Sequence, residues 1–136
     1  MRKITEVILH CSATKEGKDY TVEDIDKWHK NRGLQGIGYH YVIYSDGSVH
    51  AGRALEKIGA HCLHHNANSI GICYIGGLDE NGKPKDTRTK EQYEAMHNLV
   101  DSIVKLYHGC KVYGHNEFAN KACPCFDVAQ EFKMYR

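Results

Sequence analysis

No apolar run in the chain approaches the roughly 18 residues of a membrane span, so no membrane-crossing helix and no membrane partner are expected. Neither charge is in excess. With 18 Lys and Arg against 17 Asp and Glu, the formal net charge is +1, and nothing in the bulk composition draws the chain toward nucleic acid or an anionic surface. Internal repeats, low-complexity tracts and linkers are missing too, and there are only two prolines. What remains at 136 residues is one domain, 1–136, able to bury about two thirds of its unfolded surface without staples and expected to be a monomer. The first residues, Met1 to Glu6, carry two basic side chains but lead into an apolar stretch too short for an export signal. Cytoplasmic synthesis is therefore expected, with the six cysteines reduced and open to metal.

The patterning that is present describes one α/β unit. Val7-Ile8-Leu9 reads as a buried strand that delivers His10 at its C-terminal end. Thr21 and Asp24 mark a helix start; Ile25, Trp28 and His29 share a face, and Gly33 ends it. Tyr39 to Ser45 and Ser48 to Gly52 flank the turn pair Asp46-Gly47, which predicts a hairpin opened by Tyr39. Ser69 to Ile75 reads as a central strand whose small residues, Gly71 and Cys73, suggest a helix packed closely against it. A loop spans Leu78 to Arg88. Thr89 and Gln92 then predict a capping box for a long helix running through Leu106, with Met96, Leu99, Val100, Ile103, Val104 and Leu106 buried. Lys111 to Tyr113 is a last short strand that carries His115 beyond its end, and Asp127 caps a short terminal helix.

Two imidazoles and a thiolate, from His10, His115 and Cys123, suit zinc, and three protein ligands leave a fourth tetrahedral position free, as in a catalytic site. The pattern points to zinc hydrolase chemistry. Rival sets are present. His61, His64 and His65 lie within five positions and could chelate on their own, while Cys123-Pro124-Cys125 offers two thiols between which bulk chemistry does not choose. A fourth protein ligand such as Cys125 would make the site structural. No pair of carboxylates stands out for glycosidic acid–base chemistry.

The segments His10 to Thr14, Gly38 to His40, Gly47 through Arg53, Asn68 to Gly71 and Lys121 to Pro124, in this order and spacing, resemble the zinc N-acetylmuramoyl-L-alanine amidases. That family includes the phage lysozymes of the T-seven type and the peptidoglycan recognition proteins. The resemblance covers nearly the whole chain and implies a mixed central β-sheet flanked by helices, with a zinc site in a groove for peptidoglycan or muropeptide. It implies the ligand set His10, His115 and Cys123, a catalytic tyrosine at Tyr39, a catalytic lysine at Lys121, and His61 beside the groove as a substrate-binding residue. The family's phage member has a small hydroxyl residue where this chain has Cys125.

If those assignments hold, zinc acidifies a water and polarises an amide carbonyl. Lys121 places a cation near the developing oxyanion, and Tyr39 orients the water or hydrogen-bonds the same oxygen. The expected activity is hydrolysis of the bond between N-acetylmuramic acid and L-alanine, in a phage or prophage lysis enzyme, a recycling enzyme or a delivered effector. The alternative is a recognition module with the fold but no turnover.

Overall fold

The computed structural model covers residues 1–136. In chain order the elements are β1 (Glu6–Cys11), β2 (Thr14–Lys15), α1 (Val22–Asn31), β3 (Tyr41–Ile43), β4 (Val49–Ala51), β5 (Ser69–Tyr74), β6 (Gly77–Leu78), α2 (Lys90–Leu106), β7 (Lys111–Gly114) and α3 (Val128–Glu131). Five strands form one mixed sheet in the order β4-β3-β5-β1-β7, and β2 with β6 make a small second one. Within the large sheet β1 runs parallel to both β5 and β7, β3 runs parallel to β5, and only the β3–β4 hairpin is antiparallel.

Side-chain alternation along the strands separates two layers. Val7, Leu9 and Cys11 of β1 and Ile70, Ile72 and Tyr74 of β5 face the main core, packed with Met96, Val100 and Ile103 of α2 and Val128 and Phe132 at the C-terminal end. Val42, on the opposite face of β3, meets Ile25 of α1, Ile37 and Ile75 in a smaller cluster. All six residues of β5 are buried, as a strand covered on both faces requires. By the same alternation His10 points away from α2, toward the α1 side. That side holds the site.

Both capping boxes form. Thr21 and Asp24 exchange hydrogen bonds of 2.9 and 3.2 Å at the start of α1, and Thr89 and Gln92 exchange bonds of 3.0 and 3.1 Å at the start of α2. Gln92 goes further than a cap. Its buried amide donates to the carbonyls of Ile43 and Ile75 at 3.2 and 3.0 Å, tying the C-terminal ends of β3 and β5 to α2.

Three expectations are corrected. Leu106 is 70% exposed, at the last position of α2. Tyr39 precedes β3, since the ladder begins only at Tyr41, opposite Ala51. The space above Gly71 is filled not by a helix but by the His61 ring: a Cβ on Gly71 would lie 2.6 Å from His61 Cδ2.

Candidate metal centre and groove

Parallel register brings the two histidines together. Leu9 of β1 pairs with Gly114 of β7, so His10 and His115 lie side by side just past that pair, with ring centroids 4.6 Å apart. Cys123 reaches the same point from the loop after β7. The loop is held by a 2.7 Å hydrogen bond from the Tyr74 hydroxyl to the Pro124 carbonyl and by the Cys11 N–H, which donates to Cys123 Sγ at 3.2 Å.

The ligand atoms of His10, His115 and Cys123 all lie within 4.8 Å of one another. No other trio of His, Cys, Asp or Glu converges in this way. His10 turns Nδ1 toward Cys123 Sγ at 3.9 Å, and its other nitrogen, Nε2, meets His61 Nδ1 at 2.8 Å. Burial holds the His10 imidazole well below its ordinary range, and His61, His115 and Lys121 push the same way. Burial and then Lys121 lower His115 as well. Both rings are therefore neutral, the form that ligates metal.

The rival donors are used elsewhere. Cys125 donates to the Gly77 carbonyl at 3.3 Å, and burial pushes its thiol up to about 11. His65 stacks on Phe118 at 3.7 Å and meets Glu6 at 3.1 Å. His64 stays exposed. His61 turns inward to His10 and Ser69, and burial lowers it to about 3.

A groove opens over the trio in two adjoining parts of about 510 and 180 Å³. Tyr39, His115, Lys121, His29 and Arg32 line both, and no carboxylate lines either. The Tyr39 ring lies 5.1 Å from His10 and 5.3 Å from His29. Burial raises the Tyr39 phenol well above its usual range, so it is a standing O–H donor. A larger hollow of about 630 Å³, lined by residues that include Asp26, Arg53 and Lys57, contains none of these groups.

Residues 1–126 match the family model described as N-acetylmuramoyl-L-alanine amidase. The chain belongs to that family. The amidase is 41% identical over 128 residues to the endolysin of Escherichia phage T7, covering 93% of this chain and 85% of the phage protein. Among solved structures it is similar to Drosophila PGRP-LB, with a TM-score of 0.76 and 28% identity over 91% of this chain and 76% of that one. It shares its fold with the amidase LysC from Clostridium intestinale, at a TM-score of 0.82 and 23% identity, covering 97% and 87% of the two chains.

In the amidase all six site residues expected from the sequence meet at one place, although His61 faces His10 as well as the groove. Sequence reasoning missed two groove residues. His29 was legible only as a member of the α1 apolar face. Its Nδ1 accepts the Gly38 N–H at 2.8 Å, and burial, followed by Arg32 and Arg53, lowers it to about 4. Arg32, just past the end of α1, carried no signal beyond its charge.

Proposed function

We propose that residues 1–136 form one zinc-dependent amidase domain, with His10, His115 and Cys123 holding the ion and with the N-acetylmuramic acid to L-alanine bond of peptidoglycan as the bond cut. One observation carries this reading: three neutral or anionic donors converge at the floor of a groove that also presents Tyr39 and Lys121. The donor set fits. Two imidazoles and a sulfur are donors that zinc takes, and their ligand atoms lie within 4.8 Å of one another, with His10 Nδ1 and Cys123 Sγ 3.9 Å apart. Bound zinc supplies a water that is nucleophilic at neutral pH and Lewis acidity toward the scissile carbonyl.

The chain's own groups do the rest. Lys121 and Arg32, with no carboxylate beside them, favour a stem peptide that carries free carboxylates. As the amide carbon becomes tetrahedral, charge grows on its oxygen; Lys121 and Tyr39, both in the groove lining, are the groups that would stabilise it. His29 has its Nδ1 committed to Gly38, so its proton sits on Nε2 as a further fixed donor. Similarity to a phage endolysin supports a lysis role, in which the enzyme meets the wall after the membrane has been breached.

Digestion of purified sacculi tests the bond. New L-alanine amino termini without new reducing sugar ends are expected, and new reducing ends would refute the assignment. Metal analysis tests the ligands: one zinc per chain in the parent, and none in His10→Ala, His115→Ala or Cys123→Ser.

A further inference from the structure

His61 occupies a slot built for its ring. A Cβ on Gly59 or on Gly71 would each lie 2.6 Å from His61 Cδ2, so the two glycines form walls that only a missing side chain permits. The loop entering the slot is fixed by Asn66, whose side-chain oxygen accepts the N–H groups of His61 and Cys62, each at 2.9 Å. Inside it the ring makes two contacts: Nδ1 to His10 Nε2 at 2.8 Å and Nε2 to Ser69 Oγ at 3.2 Å, with Ser69 fully buried. Two ring nitrogens at 2.8 Å share one proton. A His10 that ligates through Nδ1 must carry its proton on Nε2, so His61 Nδ1 is the acceptor, and the remaining His61 proton points to Ser69.

We propose that His61 is a positioning residue for the metal centre: it accepts the His10 Nε2 proton, selects the tautomer that presents Nδ1, and holds that ring against rotation, while Ser69 fixes His61 in turn. This rests on His10 being a ligand. It differs from the expected role in substrate binding, because the atoms that matter face the ligand ring and not the groove.

The test measures zinc affinity by chelator competition on the full chain, beside apo-protein melting. Asn and Leu share their branching at Cγ, but only Asn presents a carbonyl oxygen where His61 Nδ1 sits. His61→Leu weakens zinc binding about 10- to 100-fold, whereas His61→Asn stays within about threefold of the parent. Ser69→Ala, which frees the His61 tautomer, weakens zinc less than His61→Leu does and gives the test should the leucine variant not fold. Parental zinc affinity in His61→Leu, equal losses in the Asn and Leu variants, or a raised KM with parental affinity overturns the proposal, as does parental affinity in Ser69→Ala when the leucine variant is unfolded. His10→Ala separates the two levels: if it keeps zinc, the ligand assignment fails, and if it loses zinc while His61→Leu keeps it, only the role of His61 fails.

Discussion

Replacing Arg88 by leucine should destabilise the protein without touching the groove. The Arg88 side chain is 4% exposed and spends both edges of its guanidinium on carboxylates: Glu131 at 2.7 and 2.7 Å, and Asp86 at 2.9 and 2.9 Å. Its flat face lies 3.5 Å over the Phe126 ring, three residues past Cys123. Removing the cation leaves Glu131, 17% exposed, with only the His97 ring at 2.8 Å. Breaking a buried pair from one side costs about 3–5 kcal/mol. The lower end applies here, because Asp86 is 38% exposed and can turn to water. At about 2.1 cal/mol/K per residue, unfolding 136 residues carries an entropy of about 0.29 kcal/mol/K, so about 3 kcal/mol lowers Tm by about 10 °C. Thermal melts of the apo protein read this directly. The double variant Arg88→Leu with Glu131→Leu should recover much of the loss, since two apolar groups leave no orphaned charge. A single variant melting within about 3 °C of the parent, or a double variant less stable than the single one, would show that the cluster is not coupled as its geometry implies.

Lys121→Ala should keep zinc and muropeptide binding yet lose turnover about a hundredfold or more, read as kcat against KM. Tyr39→Phe should behave in the same way, because it removes only the O–H; a rise in KM with kcat unchanged would make either residue a binding group. Cys125→Ser should retain metal, since its thiol serves the Gly77 carbonyl, whereas zinc retained by Cys123→Ser would reassign the thiolate. The His29 value is depressed from 6.5 to about 4, so the unfolded chain takes up the proton first. Stability from this group is therefore intact above about pH 6.5 and declines as pH falls toward about 4, and His29→Asn, which keeps an acceptor for Gly38, should flatten that part of a urea-unfolding series.

The long elements were legible because burial and capping chemistry write themselves into local sequence. Val7 to Leu9 and Ser69 to Tyr74 are covered strands, and Thr21 with Asp24 and Thr89 with Gln92 cap helices as read. Thr14–Lys15 and Gly77–Leu78 were not, since two residues per strand carry no period. The two candidate histidines could be found at strand ends, but their adjacency depends on parallel register between β1 and β7, a pairing more than 100 residues apart that no window of sequence holds. His61 shows the limit most sharply: its type and position were visible, while the direction of its ring is set by Gly59 and Gly71. Arg32 reaches the groove only because α1 packs where it does.

The central place of β1 has a temporal consequence. Its two neighbours in the sheet are residues 69–74 and 111–114, so the first strand of this domain waits for the last one before both its edges are filled. A nascent chain that ends before Lys111 holds one of the three converging donors, His10, and leaves one side of β1 open. Such a fragment cannot assemble the centre and exposes a strand edge prone to stray pairing. The three donors thus come together only once the C-terminal part of the chain has been made, and an incomplete copy carries the risk of stray strand pairing.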